Sequence, residues 1–238
     1  YTEEELVETA KTGYSHPNWK ILRPNQRTGV AVSNSLNGPW SRMDKPLVEP
    51  SGPISTLTVN PAIDKGKDGK YYLIIKGDKP NEKKFIRNQA VAVAEHPDGP
   101  FEIKEKPVID YMDTEDMSIW YDENRDRFYG VFHAHNYIGL VTSENGTDWE
   151  KANEFVLKNK EILMEDGTVI GPDRMERPFV YHEGGEPKVL SVAVKKGEES
   201  YAVFIPIIKN KSPVPNKRQL AWQEAELGVV FHYDLHVF

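Results

Sequence analysis

"GVAVSNSLNGPWSRMDKPLVEP", from Gly29 to Pro50, holds an alternating apolar run, a turn on Asn37-Gly38-Pro39, a tryptophan, and a second short run closed by proline. The chain writes the same phrase twice more. It returns as "AVAVAEHPDGPFEIKEKPVIDY" (Ala90 to Tyr111) and as "YIGLVTSENGTDWEKANEFVL" (Tyr137 to Leu157). Each copy opens with apolar residues two apart: Val30 and Val32, Val91 and Val93, Ile138 and Leu140. That spacing turns one face of a strand inward. Each copy then turns on Asn37-Gly38, Asp98-Gly99 or Asn145-Gly146, dipeptides that accept the positive φ of tight hairpins. An aromatic follows each turn, Trp40, Phe101 or Trp149, and is expected to pack between neighbouring sheets.

A second kind of hairpin lies between these phrases. "NPAIDKGKDGKYYLIIKGD" puts strands at 60–63 and 71–76 around an Asp68-Gly69 turn. "DMSIWYDENRDRFYGVFHAH" repeats this around Asn124, with a strand at 128–133, and "ERPFVYHEGGEPKVLSVAV" repeats it around Gly184-Gly185. The unit is four short antiparallel strands, recurring about every 45–60 residues, and four strands at such a period indicate a β-propeller. The expected class is therefore all-β, a β-propeller. A β-sandwich would also show many short strands, but the fixed place of the aromatic favours the propeller. The units read as a half blade to Pro50, whole blades at 54–110 and 113–157, and a further blade at 173–208. The N-terminal blade is expected to be incomplete, and both chain ends read as cut. A short helix is expected over 2–11.

Composition narrows the functional classes. The chain has 238 residues, with 38% hydrophobic and 28% charged, as in an ordinary globular protein. Its formal net charge of -7 argues against a nucleic-acid partner. No apolar run approaches the ~20 residues of a membrane-spanning helix, so no membrane partner is expected. There is no cysteine, which excludes disulfides and thiolate chemistry. Phosphate-cradling loops, the Gly-x-Ser-x-Gly elbow and His-Glu-x-x-His are all missing. "NGT" and "NKS" match the N-glycosylation pattern, but Asn145 belongs to a repeated hairpin turn, so the match is discounted.

The phrases "RTGVAVSNSLNGPWSR", "NPAI...DGKYYLIIKG", "TEDMSIWYDENRDRFYGVF" and "MERPFVYHEGGEPKVL" resemble the five-bladed propeller glycoside hydrolases, families 43 and 117 and their relatives. The resemblance covers about 27–208 and implies carbohydrate as substrate, exo-type hydrolysis, and a periplasmic or secreted location. It also implies that acids from separate blades meet in a central funnel. One carboxylic acid would protonate the leaving oxygen, while in the inverting case a second carboxylate activates water. On this resemblance Asp116 and Glu176 are the catalytic acids, with Asn60 at the same place in its own blade. Lys76, Glu115, Trp120, His133 and Arg177 join Asn60 in lining the sugar subsite.

Alternatives stand beside several of these assignments. Strand alternation lets only one of Glu115 and Asp116 face inward. Glu176 and Arg177 could form an ion pair with each other. His133 and His135 share a face, either to carry a proton or simply to pack. Trp19, Trp120 and Tyr137 could stack on a sugar or belong to the core. No resident cofactor is expected; a structural calcium or sodium ion could sit where carboxylates and carbonyls converge in the channel.

Two departures from the family pattern shape the alternative. The first-blade aspartate that supplies the general base has no match in the segment before Asn18, where Glu3, Glu4, Glu5 and Glu8 read as a solvated helix face. The histidine that family 117 carries shortly before the glutamate is missing too. Beyond a linker at 209–217, residues 218–238 ("RQLAWQEAELGVVFHYDLHVF") resemble the opening of a family 29 α-L-fucosidase barrel, with His232 placed to touch sugar. A last strand closing the propeller is the other reading of that segment. The alternative function is a non-catalytic carbohydrate-binding propeller joined to a fucosidase-like domain.

Overall fold

The computed structural model describes residues 2–208. The chain divides into two units, Tyr1–Pro206 and Ile207–Phe238, and the first carries every element below. The expected linker and the fucosidase-like tail lie outside the described residues. The expected N-terminal helix is α1 (Glu3–Thr12). Thr2 caps it reciprocally: its hydroxyl accepts from the Glu5 amide, and the Glu5 carboxylate accepts from the Thr2 amide. A single turn, α2 (Trp19–Leu22), follows.

The strands run β1 (Ala31–Val32), β2 (Ser41–Arg42), β3 (Ser55–Lys65), β4 (Tyr71–Asp78), β5 (Arg87–Ala94), β6 (Glu102–Ile109), β7 (Glu115–Asp122) and β8 (Arg127–Ala134). They continue as β9 (Tyr137–Ser143), β10 (Glu150–Asn159), β11 (Ile162–Leu163), β12 (Val169–Ile170), β13 (Arg174–Glu183), β14 (Glu186–Lys196) and β15 (Glu199–Pro206). All pairings are antiparallel between neighbours in sequence. They give four-stranded sheets β3–β6 and β7–β10, a three-stranded sheet β13–β15, and the short pairs β1–β2 and β11–β12. These are the blades that the repeated phrases call for, the last having three strands among the described residues.

Alternation explains why the blades stack. In the first blade Leu73, Ile75, Ala90 and Ala92 pack with Val48 and Ile54 on one face. Ile74, Val91 and Val108 turn the other way, onto Met117, Phe128, Phe132 and Val141 of the second blade. A fully buried side chain of this size contributes about 1.5–3 kcal/mol. Polar contacts also tie the blades together: the Tyr121 amide donates to Asp64 at 2.7 Å, and Gln89 Nε2 donates to Thr114 Oγ1 at 2.8 Å.

The aromatic after each turn follows its blade. Phe101 packs on the first core, and Trp149 on the second, where its indole donates to the Gly146 carbonyl at 3.0 Å. Trp40 corrects the expectation. It is 58% exposed: β1 and β2 are two residues each, and among the described residues their sheet has no third strand.

Candidate active site

The first strands of the three blades enter the site in the same way. Each carries a register shift near its start: after Val59 in β3, after Glu115 in β7 and after Glu176 in β13. Immediately after each of these, a non-glycine residue takes left-handed backbone: Asn60 at φ 53°, Asp116 at φ 54° and Arg177 at φ 52°. Such a conformation costs on the order of 1–3 kcal/mol per residue and clusters at functional sites. The cross-strand partners of the preceding residues are Lys76, His133 and Ala193. Val59, Glu115 and Glu176 are therefore equivalent positions, as are Asn60, Asp116 and Arg177.

The bulge resolves the choice between Glu115 and Asp116. Regular alternation would send them to opposite faces, but an extra residue in the strand re-aims one of them. Both line one cavity of about 870 Å³, together with Asn60, Lys76, Glu176 and Arg177. The rest of its wall includes Trp19, Arg23, Gln26 and Arg27 from the N-terminal segment, with Phe85, Arg87 and Arg174. Six of the eight site residues expected from sequence are brought together there. His133 lines a smaller adjoining cavity with Arg87, His135, Asp173, Arg174 and Glu176. Trp120 is placed elsewhere. It stacks on Tyr129 with ring centroids 5.4 Å apart and meets His182 at 5.0 Å, farther along β7 than the cavity. Tyr137 packs among Phe132 and Phe155 in the core.

Charge pairing orders the floor. Glu115 is the hub: Lys76 Nζ donates to it at 3.0 Å and Arg87 donates to its other oxygen. Burial opposes ionisation of Glu115, yet Lys76, Arg87 and His133 together hold its carboxyl below the ordinary range. Arg87 also clasps Asp113 through Nε and Nη2, both at 2.8 Å, a bidentate arrangement. Asp116 is set the other way. Burial and the neighbouring Glu115 charge push its carboxyl up, against the pull of Arg177 and Lys76. Asn60 Nδ2 donates to Asp116 Oδ1 and fixes that carboxyl's orientation.

Glu176 pairs with Arg174 at 2.6 Å, not with the adjacent Arg177. The left-handed turn at Arg177 sends consecutive side chains apart. His133 is 5% exposed, and its burial lowers its pKa against the pull of Glu176 and Glu115. Its Nδ1 makes no hydrogen bond and lies 4.0 Å from Glu115. His135 stays at the surface, 3.4 Å from Asp113.

Donor atoms of Glu115, Asp116 and His133 lie within 4.8 Å of one another, a spacing that a small cation can bridge. The set does not fit calcium or sodium well. Calcium takes six to eight oxygens, whereas this group offers an imidazole and a carboxylate already claimed by two cations.

The N-terminal segment supplies the mouth. Arg23 holds Asp78 through two 2.5 Å bonds and lies 4.0 Å over the Phe85 ring, pinning α2 and its Trp19 at the cavity edge. Sequence reasoning missed Arg23, Arg27, Arg87 and Arg174. The available signal for Arg87 was its place at the start of a third strand, opposite Asp78 at the end of β4.

No protein-family model matches the chain, and no curated protein matches its sequence. Solved structures do match. A GH43_1 enzyme from Xanthomonas citri aligns at 15% identity and a TM-score of 0.52, over 76% of this chain and 65% of that one. A thermostable family-43 glycoside hydrolase aligns at 16% identity and a TM-score of 0.50, over 79% of this chain and 68% of that one. An exo-β-1,3-galactanase from Phanerochaete chrysosporium aligns at 17% identity and a TM-score of 0.46, over 71% of this chain and 37% of that one. The chain thus spans just under two thirds of the Xanthomonas enzyme's length. At this identity the likeness shows the fold: a β-propeller like those of the family-43 enzymes.

Proposed function

We propose that the cavity is the active site of a glycoside hydrolase acting at the end of a carbohydrate chain, with Asp116 and Glu176 as its acting carboxyls. One observation carries the reading. Strand starts from three blades deliver Asn60, Asp116 and Arg177 to one cavity, each in left-handed backbone, with the carboxyls of Glu115 and Glu176 beside them. Solved structures sharing the fold are glycoside hydrolases by name.

The division of labour follows from the electrostatics. Burial and Glu115 favour the protonated form of Asp116, which suits a group that must give a proton to a departing oxygen. Asn60 aims that carboxyl, and Lys76 and Arg87 keep Glu115 ionised beside it. Glu176, from the next blade, supplies the second carboxyl that this chemistry needs. Trp19 offers an aromatic wall for a sugar face, and the Arg23–Asp78 clasp that pins it would close one end of the cavity, as exo-type cleavage requires. A periplasmic or secreted location fits an enzyme whose substrate is an external glycan.

The test is hydrolysis by the full chain. Asp116→Asn and Glu176→Gln should each lower kcat by about 10²–10⁴-fold, the usual worth of a positioned acid or base. Wild-type rates in both variants would remove the assignment. A second reading has its own observation: the N-terminal segment gives the cavity Trp19, Arg23, Gln26 and Arg27 and no carboxylate. A non-catalytic carbohydrate-binding propeller would bind sugar in calorimetry with no turnover by the wild type.

A further inference from the structure

We infer that Arg177 receives an anionic substituent, so that the glycan taken by this cavity is acidic and carries a carboxylate or a sulfate ester. The inference rests on the carbohydrate reading above and narrows it to a substrate class.

The argument is an accounting of cations. Six line the cavity: Arg23, Arg27, Lys76, Arg87, Arg174 and Arg177. Five are claimed. Arg23 is held by Asp78, Arg27 by Glu49 at 2.7 Å, Lys76 by Glu115, Arg87 by Asp113 and Glu115, and Arg174 by Glu176. Among the described residues, Arg177 alone of the six has a side chain that makes no hydrogen bond or ion pair. Its side chain is exposed toward the cavity, and the acid before it in sequence is already taken by Arg174.

Its backbone position strengthens the point. The equivalent turns carry Asn60 and Asp116, which bond to each other across the cavity. The third turn holds Arg177 in the same strained conformation, near Asp116 but without a hydrogen bond or ion pair from its side chain. A surface arginine could lie on regular strand at no such cost, and strain of this kind persists where the site needs the group. A guanidinium presents paired donors that match the two oxygens of a carboxylate or sulfate, so its ligand is an oxyanion more readily than a hydroxyl. The nearby carboxyls do not forbid an anion. Glu115 and Glu176 are each paired with cations, and Asp116 accepts from Asn60.

The experiment is calorimetric titration of the full chain with two matched pairs of sugars: methyl glucuronoside against methyl glucoside, and galactose 6-sulfate against galactose. In at least one pair the acidic member should bind about tenfold or more tightly than the neutral one. The advantage should shrink in high salt. Whether the uronate or the sulfate wins identifies the source of the charge. Arg177→Asn is the variant of choice, since Asn already occupies the equivalent left-handed turn and tolerates it. It should bring the ratio to about one, and Arg177→Lys should keep part of it. Neutral sugars binding as tightly as acidic ones, or a tenfold preference surviving Arg177→Asn, overturns the inference while leaving the carbohydrate site standing. No binding by any of the four sugars overturns both.

Discussion

Glu115→Gln tests the electrostatic floor of the site. The substitution keeps the side chain's size and removes one charge from a carboxylate whose side chain is only 14% accessible, beside Lys76 and Arg87 at 12% and 15%. Breaking a buried pair by removing one partner costs about 3–5 kcal/mol. Here the loss is softened, because Asp113 still holds Arg87 and the new amide oxygen can accept from Lys76. We therefore expect about 2–3 kcal/mol, or a Tm lower by about 5–10 °C in a domain of this size. The sign of the pH dependence follows from the lowered Glu115 pKa. Its contribution is full above the ordinary glutamate value of 4.5 and is lost as pH falls through the lower folded value. The gap between variant and wild type, measured by urea unfolding in chelator-containing buffer, should be constant from pH 7 to about 5 and close in acid. The same substitution removes the charge that, after burial, most raises Asp116. Asp116→Asn should then gain less stability at neutral pH in the Glu115→Gln background than in the wild type. A Glu115→Gln variant as stable as wild type at pH 7, or a gap that widens in acid, would refute the reasoning.

Four further outcomes are expected. Asp116→Asn should be more stable than wild type at pH 7, because a raised carboxyl pKa means the folded state resists ionisation; the advantage should vanish below the ordinary value of 3.8, checked by urea unfolding across pH. Gly139→Ala should cost about 1–3 kcal/mol by thermal unfolding, since a Cβ there would sit 2.2 Å from the fully buried Phe132 ring. Arg23→Ala should release α2 from Asp78 and Phe85, raising KM more than it lowers kcat and speeding proteolysis before residue 27. Trp120→Ala should lower stability with little effect on sugar affinity, since its ring packs on Tyr129 and His182 and does not line the cavity.

The blades were legible because hydrophobic alternation and Gly turns are local signals. Val91, Val93, Ile138 and Leu140 announce strands, and Asp98-Gly99 and Asn145-Gly146 announce turns, without any knowledge of the neighbours. Trp40 shows the limit of that reading: its phrase matches its sisters, but burial depends on a covering sheet that sequence alone does not supply. The site was legible where polar residues begin a strand, as at Asn60, Asp116 and Glu176. The bulge was not, because a period-of-two pattern has no mark for one extra residue. Aligning "VNPAI", "EDMSI" and "ERPFV" by their apolar ends, instead of by their acids, would have paired Glu176 with Glu115 and Arg177 with Asp116. The arginines of the wall were hidden for another reason. Arg23 and Arg87 reach the cavity through tertiary ion pairs with residues 55 and 26 positions away, and nothing local marks such a reach.

The central claim is that acids from separate blades act on one sugar. A crystal structure of the full chain as its Asp116→Asn variant, soaked with an oligosaccharide substrate, measures this directly. The account predicts the terminal ring seated between residue 116 and Glu176, with its leaving oxygen within hydrogen-bonding distance of one of them. A ring bound at another face of the propeller, or coordinates in which positions 116 and 176 open onto different cavities, would contradict it.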